Sequence, residues 1–124
     1  MINSNKEIAV SFLRLAAKGN VSEAYSKHIG PGFRHHNPFL EGSGEALMEA
    51  MEESVHQNPN QVLEVKQVIA EGDLVVVHSH VRQNPDDLGG AVVHIFRFEN
   101  GHIAELWDIG QAIPTDSPNE NEMF

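Results

Sequence analysis

The sequence has no cysteine in its 124 residues, which removes disulfides, thiolate metal ligands and thiol nucleophiles together. Basic residues are scarce, 8 Lys and Arg against 18 Asp and Glu for a formal charge of -10, and a field of that sign repels phosphate backbones and anionic lipid. Neither nucleic acid nor a membrane is an expected partner. No apolar run approaches the ~18 residues of a membrane span. Met1 to Glu7 is polar with no apolar segment behind it, so a secretory leader is not expected and the default location is the cytoplasm. The length suits a single domain over residues 1–124, with the polar stretch 115–124 expected as a loose tail. Apolar residues reach 40%, enough for a real core. Against these shortages stands one excess: there are eight histidines, and a side chain that titrates near neutrality marks where function should be sought.

The first third has helical periodicity. Ser4 and Glu7 fit a capping box ahead of Ile8, Phe12, Leu15 and Ala16, which share one face. Lys18-Gly19 closes that helix, and Asn20 to Glu23 opens a shorter one carrying Ala24, Tyr25 and His28, ended by Gly30-Pro31-Gly32. Phe33 to Phe39 is too polar for a core strand and is expected as an ordered loop or a very short strand, with Pro38 forcing Asn37 into extended geometry. Ser43 caps a third helix, in which Leu47, Met51 and Val55 recur every four residues. From Gln61 the period becomes two, with turns at Glu71-Gly72-Asp73, Asn84 to Asp87 and Glu99-Asn100-Gly101. Three helices followed by a four-stranded antiparallel meander curling over them predict an α+β layer fold.

Three groups of residues can carry chemistry. His78 and His80 fall on one face of a strand whose other face bears Val75, Val77, Ser79 and Val81. The last two strands meet at Glu99-Asn100-Gly101, where two registers are open. A two-residue turn pairs His94 with Trp107 and turns Asp108 away; a three-residue loop with a G1 bulge gathers His94, Phe96, Phe98, Ala104, Leu106 and Asp108 on one face. The second is favoured because it makes a face that is apolar except for one histidine and one aspartate, as suits a pocket. It leaves Val93, Ile95, Arg97, Ile103, Glu105 and Trp107 outside, a mixed surface suited to a homodimer contact. An aspartate among Phe96, Leu106 and Trp107 is expected to resist ionisation and to serve as a general acid or base. The third group is His36 and Asn37, held between Phe33 and Phe39; His35, His28, His56 and His102 are expected at the surface.

Phe33-Arg34-His35-His36-Asn37-Pro38, Gly44-Glu45-Ala46-Leu47, Glu71-Gly72-Asp73-Leu74-Val75 and Asn100 through Asp108, in that order and spacing, resemble the SnoaL-like polyketide cyclase branch of the NTF2-like superfamily across almost the whole chain. The resemblance implies a cone in which a curved antiparallel sheet wraps three N-terminal helices around a pocket, with dimers formed through the outer sheet face. It also implies an intramolecular aldol condensation without cofactor, and Asp108 resembles in position the aspartate that acts as acid and base.

Together these lines give a small-molecule enzyme with Asp108 and His94 as its catalytic residues and His36, Asn37, His78, His80, Phe96, Leu106 and Trp107 around the substrate. It would cyclise or isomerise an enolisable carbonyl compound with no cofactor and no metal. The three imidazoles make the pocket more polar than the flat substrates of the cyclases require, which points to something smaller. Two other classes stay open. A metal enzyme is suggested by Gly72, five residues, then His78-Ser79-His80, with His94 as a third ligand, although the glutamate such a motif supplies is missing. A binding protein without turnover is the other.

Overall fold

A computed structural model describes residues 4–124. The N-terminal capping box forms as its residues dictate: the Ser4 hydroxyl accepts from the Glu7 backbone N–H, and the Glu7 carboxylate accepts from the Ser4 N–H. It starts α1 (Asn5–Ala17), whose Ile8, Ala9, Phe12, Leu13 and Ala16 are buried. Then follow α2 (Val21–His28), β1 (Ile29–His35), α3 (Gly44–Gln57), β2 (Val62–Glu71), β3 (Leu74–Arg82), β4 (Gly90–Glu99) and β5 (His102–Ala112). The strands make one sheet in the order β1-β5-β4-β3-β2.

The fifth strand is an addition to the expected meander. Residues 29–35 form an edge strand parallel to β5, with Arg34 opposite Glu105 and His35 opposite Leu106. An edge tolerates what a central strand does not, so Pro31 and two glycines fit here, and the register shifts between Ile29 and Arg34. The sheet is therefore mixed rather than wholly antiparallel.

The turn at Asn100-Gly101 is the two-residue one and not the favoured three-residue loop with a G1 bulge, yet the favoured face forms by another route. Asn100 and Gly101 both have positive φ, 52° and 78°, and Glu99 pairs with His102, a two-residue turn of the primed kind. The bulge lies further along: Phe98 pairs with Ile103 but Arg97 with Glu105, so β5 carries Ala104 as an extra residue. From there His94 faces Asp108 and Phe96 faces Leu106. The favoured face is assembled, except that Ile103 turns inward beside Phe98 and is fully buried.

Reading the pairings across the sheet gives the concave face in rows. Val68, Val77, His94 and Asp108 lie abreast, with Val75, Phe96 and Leu106 toward the closed end and Val65, Ser79, Val92 and Gly110 toward the open end. The core sits under α1 at the closed end, where Phe96 meets Phe12 edge to face at 6.0 Å. α3 buries only Leu47 completely, since Met51 and Val55 stand over the hollow end of the cone. No helix among the described residues is long and apolar enough to cross a membrane.

The C-terminal stretch after β5 crosses the convex face, where Phe124 stacks on His80 at 4.7 Å and lies 5.3 Å from His78.

Candidate functional site

Asp108 is half-buried at the open end of β5. Its Oδ2 accepts a hydrogen bond from the Asn37 side-chain amide at 3.1 Å. Asn37 comes from the loop after β1, and its own Oδ1 accepts from the Phe39 N–H at 2.9 Å, so the amide has one orientation to offer. Asp108, Asn37, Pro38, Val92 and Gly110 border an open groove of about 590 Å³. Gly110 leaves room along its wall: a Cβ there would sit in ordinary contact with Val92 at 3.7 Å and the Ala91 carbonyl oxygen at 3.8 Å.

His94 faces Asp108 from the neighbouring strand. It borders a recess of about 220 Å³ under Leu13, Met51 and Val55. Burial holds its pKa down at about 4, and the nearby Asp108 charge, which acts the other way, does not restore it. The ring is uncharged at neutral pH and has one N–H to give. Its Nδ1 is sealed from solvent with no hydrogen-bond partner, and the Ser79 hydroxyl is sealed and unpartnered as well. Each such group costs about 1–3 kcal/mol when left unsatisfied. A third recess, of about 440 Å³, shares Val81, Ser54 and Gln61 with the His94 recess and Val92 with the Asp108 groove. The three recesses are thus neighbours at the hollow end of the cone.

His78 and His80 do not join this site. The alternation along β3 is as expected but its sense is reversed: Val75, Val77 and Ser79 are the buried residues, and the imidazoles point to the convex face. Burial of the valines decides the orientation, because two imidazoles turned into the core would each need a partner there. On the convex face His80 Nε2 reaches the Leu88 carbonyl at 2.7 Å. The inference of a more polar pocket from these two residues fails with their placement. So does the three-imidazole metal set, since His94 lies on the opposite face. Among the described residues no group of three or more His, Asp or Glu could hold a metal ion.

Trp107 also points to the convex face, as its alternation with Asp108 requires, and is not in the pocket. His36 stacks on it at 4.8 Å and 7° between planes, with Nε2 on the Glu105 carboxylate at 2.5 Å. His36 thus borders the Asp108 groove with its ring committed to the outside. Glu105 is buried and also accepts from Arg34 at 3.0 Å and Arg97 at 2.9 Å. The hydrogen bonds from His36 and Arg34 hold its carboxyl down at about 2 despite burial. Phe96 and Leu106 share the pocket's face but lie in the core beneath it, where they support His94 and Asp108.

Two histidines expected at the surface are buried. His28 bonds Ser11 Oγ through Nε2 at 2.9 Å, and its pKa is lowered by burial first and by Lys27 second. His35 is 6% exposed. Period two places Phe33 and His35 inward once residues 29–35 are recognised as a strand; in a loop that signal does not exist.

The sequence profile of the SnoaL-like domain family matches residues 9–106. No curated protein matches the chain. Among solved structures, AclR of Streptomyces galilaeus, a provisionally assigned hydroxylase, superposes with a TM-score of 0.73 at 24% identity, over 86% of this chain and 88% of that one. An NTF2-like protein of Cytophaga hutchinsonii gives 0.71 at 19% identity over 90% and 92%. A provisionally assigned polyketide cyclase of Sinorhizobium meliloti gives 0.68 at 17% over 83% and 94%. At these identities the likeness is one of fold.

Proposed function

The chain belongs to the SnoaL-like domain family, and from that premise we propose that it is an acid-base enzyme that enolises a small carbonyl compound without a cofactor. The observation that carries this is the pairing of His94 with Asp108 across β4 and β5 at the hollow end of the cone. Asp108 takes the proton next to the carbonyl, and the electron pair moves onto the carbonyl oxygen. The uncharged His94 donates its N–H to the oxygen as charge develops there. In an aldol condensation the enolate carbon then bonds to a second carbonyl carbon, and Asp108 returns its proton to the new alkoxide. In an isomerisation the proton returns to a different carbon.

Substrate binding falls to Asn37 through its hold on Asp108, and to the groove that Gly110 and Val92 leave open. A homodimer formed through the convex face is part of this reading. Ile109 is 61% exposed on that face beside Val93 and Trp107, and an apolar strip of this kind suits a subunit contact.

Proton transfer is testable before the natural substrate is identified. In D2O the enzyme should accelerate deuterium uptake at the α-carbon of acetophenone or cyclohexanone, followed by proton NMR, and Asp108→Asn should abolish the acceleration. Ketones that bind, as shown by saturation transfer, but exchange no faster than in buffer would leave a binding protein without turnover.

A further inference from the structure

The loop that presents Asn37 is anchored at its start by His36, stacked on Trp107 and bonded to Glu105, and has little apolar packing beyond that point. Pro38 and Phe39 are exposed, Phe39 by 90%, and Leu40 alone of its apolar residues packs against the core. Its base is closed by a single bridge between Arg34 and Ser43. Past His36, hydrogen bonds must therefore fix where Asn37 stands, and two of them meet on the buried ring of His35.

His35 Nε2 lies 2.7 Å from the Glu41 carbonyl oxygen. A carbonyl can only accept, so the ring proton is on Nε2. Nδ1, 3.2 Å from the Asn37 backbone nitrogen, then accepts the Asn37 N–H. One ring thus ties both ends of the loop, accepting at residue 37 and donating at residue 41. His36 is fixed separately, its backbone N–H donating to the Leu106 carbonyl at 3.1 Å. With its backbone pinned by His35 and its Oδ1 taken by Phe39, Asn37 has only its Nδ2 left to aim, and that atom meets Asp108.

We propose that His35 is a positioning residue of the acid-base site, setting the Asn37 amide against the Asp108 carboxylate. The proposal rests on the reading of Asp108 as the proton-transfer group. Its structural half, that His35 governs the Asn37 to Asp108 contact, is tested without turnover. A displaced loop would leave Asp108 free to rotate away from the bound ketone, and misplacement by about 1 Å can cost roughly 100-fold in rate.

Three variants of the full chain separate the ring's two contacts. His35→Phe keeps an aromatic ring and loses both. The Oδ1 of His35→Asn can stand where Nδ1 stands and keep the bond to Asn37. His35→Gln, by its longer reach, can keep only the bond to Glu41. The readout is the Asn37 side-chain NH2 resonance, assigned by its loss in Asn37→Ala, with Asp108→Ala showing where it falls when the carboxylate is gone.

His35→Phe and His35→Gln should move the resonance most of the way to its Asp108→Ala position, and His35→Asn should hold it near wild type. The same order should appear in acetophenone exchange, with His35→Phe slowed about 10- to 100-fold. If the melting temperature falls while the amide resonance stays, His35 is merely structural and the proposal is wrong. Should His35→Phe fail to fold, the Asn and Gln variants decide, and equal amide positions in the two overturn it. An amide that moves with no change in exchange would uphold the positioning while removing the catalytic reading of Asp108.

Discussion

Asn37 donates its side-chain amide to Asp108 Oδ2 at 3.1 Å, joining the loop after the edge strand β1 to the far end of β5, 71 positions along the chain. The contact depends on the parallel pairing of β1 with β5, which brings His35 beside Leu106 and delivers the next residues to the open end of the cone. An edge strand that packs only Ile29 and Phe33 against the core thus places a polar group on the carboxylate that faces His94.

Replacing that carboxylate separates binding from chemistry. Asp108→Asn keeps the shape and still accepts from Asn37 through its amide oxygen, but it cannot take a substrate proton. Folding and ketone binding should stay near wild type while α-proton exchange falls ~100-fold or more. Exchange at the wild-type rate would remove Asp108 from the mechanism.

His94 makes stability depend on pH. Its folded-state pKa is about 4 against an ordinary 6.5, so between those values the unfolded chain binds the proton more readily than the folded one. Stability should fall as pH drops from about 6.5 toward 4. Urea unfolding across that range should show the loss, and His94→Phe should reduce its slope. Proton NMR of the ring should give a midpoint near 4; a midpoint near 6.5 would contradict the uncharged donor.

How far the site was legible follows from which forces act locally. The capping box, the helix faces and the strand alternation are set by neighbours in sequence and stand where expected. The family resemblance carried the three helices and the curved sheet, and the expectation of a bulge put Asp108 on the face of His94. What could not be read depends on contacts remote in sequence. Residues 29–35 have too few apolar side chains to announce a strand, and only β5 makes them one. The side on which His78 and His80 fall is decided by where α1 lies, and period two is silent on that. At Asn100-Gly101 the sequence offered a turn and a bulge as alternatives, and the chain uses a tight turn with the bulge displaced to Ala104, since only a slip somewhere keeps Phe96 and Leu106 in the core together.

The convex face contains a second pH-dependent element. Glu105 gathers His36, Arg34 and Arg97, which hold its carboxyl at about 2 against an ordinary 4.5. Its contribution is complete above about 4.5 and is lost as pH falls toward 2. Glu105→Gln should therefore cost roughly 1–3 kcal/mol at pH 7 and much less at pH 2, measured by urea unfolding at the two values. A cost that does not change with pH would show that the carboxylate charge is not what binds the cluster.

The same face gives the last prediction. β4 and β5 present Val93, Ile95 and Trp107 there with Ile109 61% exposed beside them, while the stretch ending at Phe124 covers His78 and His80 further along. The uncovered strip is the part free to meet a second copy, and the charge cluster around Glu105 would lie at its rim. Sedimentation at micromolar concentration should give twice the 13.7 kDa chain mass. Val93→Lys places a charge in the strip at a residue that does not border the Asp108 groove, so it should shift the population to monomer with α-proton exchange largely retained, because the His94 and Asp108 side chains face the other way. A wild type that sediments only as a single chain would remove the interface. Loss of exchange in a monomeric Val93→Lys protein would show instead that the second copy is needed to hold β5, and with it Asp108, in place.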